Sequence, residues 1–175
     1  MCLKTKDNKV KIAETDITAY KCFRSVKESY SSKKHRDMRT LFLDFPVSYD
    51  EMTGKTSFIG KGDKTPKYRA EDRVYEFGSG YVHVFMDRET AKKVMQKYFI
   101  GNEWYFPVVA KVTIPAGTEY LEGTDSHGEP CIAAERIVIG ECLDCLSEGK
   151  IHDFNEYVSR IEKAKAAAKE KRPFE

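Results

Sequence analysis

Residues 74–91 read VYEFGSGYVHVFMDRETA, and the fold class turns on this run. It alternates at period two, breaks at Gly78-Ser79-Gly80 where a bulge or tight turn fits, and resumes as YVHVF. Tyr81, His83 and Phe85 therefore share one strand face. Asp87 follows as an N-cap residue, its carboxylate free to accept the first unpaired helical N–H groups. Ala91, Val94, Met95 and Tyr98 then recur at i, i+3, i+4 and i+7, the apolar stripe of a helix over about 88–99, with Gly101 as its stop.

Strands dominate on both sides of this unit. Downstream, YFPVVAKVTI at 105–114 puts Phe106, Val108, Ala110, Val112 and Ile114 on one face. PAGT and TDSHGEP make turns around a short strand, TEYLEG. CIAAERIVIG at 131–140 reads as one more strand, with Ala133, Glu135, Ile137 and Ile139 on a common face. Asp153 and Glu156 make a capping-box-like helix start. Phe154, Tyr157, Val158 and Ile161 give that helix its apolar stripe, and KAKAAAKEKR its solvated end.

Upstream, ITAYKCFR at 17–24 is a strand. Tyr20, Cys22 and Arg24 lie on one face, and Ile17, Ala19, Lys21 and Phe23 on the other. Residues 27–39 read as a basic loop or short helix, and LFLDFPV at 41–47 as a β-prone apolar run in which Pro46 favours an edge or a strand end. Residues 1–16 read as a flexible N-terminal segment in which VKIAE forms a short edge strand. The span 48–73, with Gly54, Gly60, Gly62 and Pro66 among lysines, reads as a long loop. The expectation is one α+β domain over 17–152, with a mainly antiparallel or mixed sheet and one central helix, followed by a C-terminal helix and tail over 153–175.

The 175 residues suffice for one self-supporting core. An apolar fraction of 41% against 33% charged residues describes a soluble chain, and no apolar run is long enough to cross a membrane. No apolar leader is present and Cys2 stands where a myristoylation glycine would be required, so the expected compartment is cytoplasmic. Five cysteines at irregular spacing argue against a disulfide framework. A net charge of +2 from 30 basic and 28 acidic residues gives no global field toward nucleic acid or membrane.

Glu135 is the most informative candidate, because a carboxylate in an apolar row must be paired, hydrogen-bonded or at a cleft mouth. It is either a strand-end glutamate bonding a nearby Lys or Arg, or a catalytic carboxylate. His83 is either a hydrogen-bonded core residue or a catalytic or ligand contact, with Tyr81 stacking beside it. Arg24, in line with Tyr20, suits bidentate binding of phosphate or carboxylate. Lys33, Lys34 and Arg36 lie in SSKKHR at 31–36, the one basic cluster, which is either a solvated loop or a phosphate contact. Cys142 and Cys145 have zinc-knuckle spacing, but only His127, Cys131 and His152 are at hand to complete four ligands, so ordinary thiols and no metal are expected. GxxxxGK[ST], GxGxxG, GxSxG and HExxH are all missing.

Taken together, ITAYKCF, GYVHVFMDRETA, VVAKVTIPAGTEYLEG and AAERIVIGE resemble a group of small uncharacterised bacterial and phage proteins. These carry a GFHxF-like segment, an IPxGTxY strand and an A-x-E-x-I-x-I strand. The likeness spans about 17–25 and 74–141, with Tyr81-Val82 breaking the GFH segment. More distantly the layout resembles ADP-ribosyltransferase-type folds. That resemblance implies NAD as cofactor, Arg24 at its phosphate or ribose, Tyr81 and His83 flanking the nicotinamide, and Glu135 orienting the ribose. A Ser-Thr-Ser triplet is missing, and Ala133 stands where a Gln or Glu would precede Glu135. Three functions are compatible with these residues. The first is a ligand-binding or interaction module, encoded by a phage or mobile element and meeting a host or phage protein or a nucleotide. The second is an ADP-ribosyltransferase-like enzyme, for which Arg24, Tyr81, His83 and Glu135 must line one cleft. The third is a nucleic-acid-associated protein using residues 31–39 and the C-terminal helix.

Overall fold

A computed structural model describes residues 3–26, 38–40, 45–98 and 105–171. Among these, β1 is Leu3–Thr5, β2 Lys11–Ile12, β3 Ile17–Val26 and β4 Arg39–Thr40. Next come β5 (Ser48–Tyr49), β6 (Thr56–Ile59), β7 (Lys67–Arg69), β8 (Val74–Phe77) and β9 (Val82–Phe85). The helix α1 (Arg88–Tyr98) is followed by β10 (Tyr105–Ile114), β11 (Glu119–Thr124) and β12 (Pro130–Ala134). The chain continues through β13 (Arg136–Ser147) and β14 (Lys150–Asp153) to α2 (Phe154–Glu170). Among the described residues no helix is long and apolar enough to cross a membrane.

The strands join in one sheet ordered β5-β6-β13-β10-β3-β9-β12-β11-β1-β8-β7, with β14 on β13, β2 on β11 and β4 on β3. Pairings throughout are antiparallel. The mainly antiparallel sheet and the two helices therefore stand as expected, with strand far outweighing helix.

Alternation sorts the core into two layers. Phe106, Val108, Ala110, Val112 and Ile114 of β10 join Ala19, Phe23, Val82 and Val84 on one face, against which Phe154, Tyr157, Val158 and Ile161 of α2 pack. The rings of Phe106 and Phe154 stack with centroids 6.3 Å apart. Ala91, Val94 and Met95 of α1 cover the opposite face with Tyr81, Phe85, Val109 and Ala133. Both helix starts follow the sequence. Asp87 Oδ2 accepts from the Thr90 N–H at 3.2 Å, and Asp153 Oδ1 from the Glu156 N–H at 3.1 Å. Arg88 clamps α1 to β13 by donating Nε and a terminal nitrogen to the two oxygens of buried Asp144, each at 2.9 Å.

Three expectations are corrected. The N-terminal segment is not loose throughout: Leu3 is fully buried, and β1 lies inside the sheet between β11 and β8. Three residues are too few to betray a strand by alternation, and long-range pairing makes this one. The span 48–73 is not a bare loop, since β6 pairs with β13 and β7 with β8. Its lysines point outward while Thr56 and Phe58 are buried. Finally, 131–140 is two strands. Ile132 and Ala134 face the layer under α2, and so do Ile137 and Ile139, so the alternation slips by one residue at Glu135. The predicted strand start at 41–44 and the helix stop at Gly101 lie outside the described residues.

Candidate functional site

At that slip the chain turns between two neighbours. The Glu135 N–H donates to the Glu119 carbonyl, and its own carbonyl accepts from the Gly60 N–H, each at 3.0 Å. Glu135 is thus a corner residue and shares no apolar row with Ile137 and Ile139. Its carboxylate is 40% exposed and accepts from Lys64 Nζ at 3.0 Å. That bond is the main cause holding the Lys64 ammonium above its ordinary pKa. The same ammonium stands 5.8 Å from the centroid of the Tyr81 ring, within cation–π range. Tyr81 is buried edge-on against Phe77, and burial raises its phenol above the usual value. Lys64, Tyr81 and Glu135 therefore form one cluster at the rim of the sheet.

Two glycines allow it. A side chain at Gly60 would strike the Gly80 carbonyl, and one at Gly80 would strike the carbonyl of Asp63. The loop carrying Lys64 lies backbone to backbone on the Gly78-Ser79-Gly80 turn, an approach open only to residues without a Cβ.

His83 belongs to a different environment. It is 5% exposed, on the α1-covered face, and its Nε2–H donates to the Phe77 carbonyl at 3.2 Å. A carbonyl only accepts, so the neutral Nε2–H tautomer is required. Burial first, and the nearby Lys21 ammonium second, push its pKa down to about 3. Tyr20 pairs with Phe85 on the neighbouring strand and packs against this same layer.

Arg24 lies further along β3. The ladder between β3 and β9 ends at Tyr20 and Phe85, and β4 takes over at Phe23 and Arg24, setting Arg24 opposite Arg39. Of the sequence candidates, then, Tyr81 and Glu135 meet at Lys64, Tyr20 and His83 share the interior layer, and Arg24 stands where the neighbouring strand has changed. Lys33, Lys34 and Arg36 lie outside the described residues.

Cys142 and Cys145 sit in the layer under α2 and Cys131 in the opposite one. Burial pushes each of these thiols up to about 12. Among the described residues no group of three or more His, Cys, Asp or Glu is placed to hold a metal ion.

Two lysines escaped the sequence reading. Lys64, on the span read as a loop, carried no local signal. Lys21 did: it alternates with Ala19 and Phe23, both fully buried. Lys21, rather than Glu135, is the charge set in an apolar row. Lys21 Nζ donates to the His83 carbonyl at 2.8 Å and lies 5.9 Å from the centroid of the Phe23 ring. Desolvation lowers its pKa to about 8. Comparison with protein-family models, curated proteins and solved structures finds no match to this chain.

Proposed function

We propose that the chain is a ligand-binding or interaction module. The observation that supports this most is the separation of the two groups a transferase would need together. His83 is closed inside with its one ring N–H spent on the Phe77 carbonyl, while Glu135 is outside and ion-paired with Lys64. An acid or base must reach the proton it moves, and a neutral buried imidazole bonded to backbone serves packing. The Lys64–Glu135 rim, with Tyr81 behind it, instead offers both signs of charge at an exposed edge, the kind of surface that fixes register with a partner. A host or phage protein with a mixed-charge face is the partner this suits.

An ADP-ribosyltransferase-like enzyme using NAD is the second reading, favoured by the convergence of Tyr81 and Glu135 on Lys64. Incubation with millimolar NAD separates the two. The module reading expects no release of nicotinamide and no rise in melting temperature, since a ligand that binds the folded state must raise it by mass action. Nicotinamide release by the wild type that disappears in Glu135→Gln would overturn it.

A further inference from the structure

A single exposed isoleucine is common and needs no account. Ile12 and Ile59 are 62% and 54% exposed, and backbone pairing joins them in one row across the rim. Ile12 is opposite Glu119, and the Glu119 carbonyl accepts from the Glu135 N–H. Arg136, next in the chain, is opposite Ile59. Across four neighbouring segments, ~4.8 Å apart, the row therefore reads isoleucine, glutamate, arginine, isoleucine.

All four side chains lie on one side of the sheet. Phe58 and Ile137 belong to the layer under α2, so Ile59 and Arg136 beside them face away from it. Leu121 belongs to the opposite layer. Glu119, two residues before it, shares that side, and so does Ile12 across the pair. Among the described residues the side chains of Glu119 and Arg136 make no hydrogen bond or ion pair. Glu119 acts on Lys64 only through space, because Glu135 holds that ammonium.

We propose that this row is the docking surface for a second copy of the chain. The proposal rests on the interaction-module reading above and names what meets the rim. A two-fold interface must be complementary to itself, and this row is so when reversed. An axis parallel to the strands, passing between Glu119 and Arg136, sets Glu119 on the partner's Arg136 and Arg136 on the partner's Glu119. Each Ile12 then meets an Ile59. An axis along the row would instead set glutamate on glutamate and arginine on arginine, so charge selects the first arrangement. An unlike partner would require no such reversal in the order of the four residues.

The test is sedimentation of the folded, full chain over ~10–500 μM, the range suited to a small interface. The wild type is expected to pass from monomer to dimer across it. Glu119→Arg and Arg136→Glu each put like charges together in both halves of the interface, and each is expected to weaken the dimer at least ~10-fold. Mixing the two variants is expected to restore association, because a doubly basic row then meets a doubly acidic one. A wild type that stays monomeric would overturn the proposal whatever the variants do. So would a dimer indifferent to either reversal, or a mixture no more associated than its parts. The interaction-module reading itself is tested separately, by nicotinamide release.

Discussion

At the scale of the residue, Lys21 and His83 are neighbours whose charged forms burial disfavours. For Lys21 the folded pKa of about 8 lies below the ordinary 10.5. Below pH 8 both folded and unfolded chains carry the proton, and the fold bears the full penalty, up to about 3 kcal/mol. Between pH 8 and 10.5 the unfolded chain holds the proton that the folded chain has lost, so this contribution to stability rises with pH. Above 10.5 the penalty is gone. Lys21→Met removes the titration and also the donor to the His83 carbonyl, a loss of about 1 kcal/mol. The expected outcome is that the wild type gains on Lys21→Met by ~1–3 kcal/mol as urea melts are moved from pH 8 to 10.5. A constant difference across that window would place the ammonium in water. The buried thiols, which weaken the fold as pH rises past their ordinary value, are common to both proteins and cancel.

At the scale of the element, two ion pairs test how the helix and the rim are held. Arg88 joins α1 to β13 through Asp144, whose side chain is only 4% exposed. Removing the guanidinium leaves a buried carboxylate unpaired, so Arg88→Met is expected to cost ~3 kcal/mol in chemical denaturation. Lys64 and Glu135 are each about two-fifths exposed, and Glu135→Gln is expected to cost under ~1 kcal/mol and less in high salt. Equal losses at the two positions would contradict the assignment of one pair to scaffold and the other to surface. The elements themselves were legible where periodicity ran long enough. β10 and α1 carry four or five apolar positions each, and the Asp87 and Asp153 caps announce their helices. β1, with three residues, and β6, set among glycines and lysines, take their identity from partners far away in sequence, which no local window contains. The corner at Glu135 was hidden for a related reason. Ala133 and Ile137, two residues away on either side, are both apolar, and only the change of partner from β9 to β10 shows the slip in alternation.

At the scale of the whole molecule, the sheet keeps apart what the sequence set in register. Tyr81, His83 and Glu135 looked like one constellation because alternation aligned them on strand faces. Strand order and the corner then sent His83 under α1 and Glu135 to the rim. Function read from residue type alone misses this, because a face is a local property and a cleft is made by non-local pairing. Sequence reasoning found Tyr81 and Glu135 and missed the lysine that joins them. It also passed over Lys21, whose oddity was visible in its own row. The central proposal is that His83 serves the core rather than catalysis. Its most direct test is the imidazole nitrogen spectrum of the ¹⁵N-labelled chain between pH 8 and 4, with and without NAD. The account predicts that His83 stays the neutral Nε2–H tautomer throughout, its pKa being about 3, and that NAD leaves it unmoved. A titration midpoint near the ordinary histidine value of 6.5, or a shift on adding NAD, would contradict it.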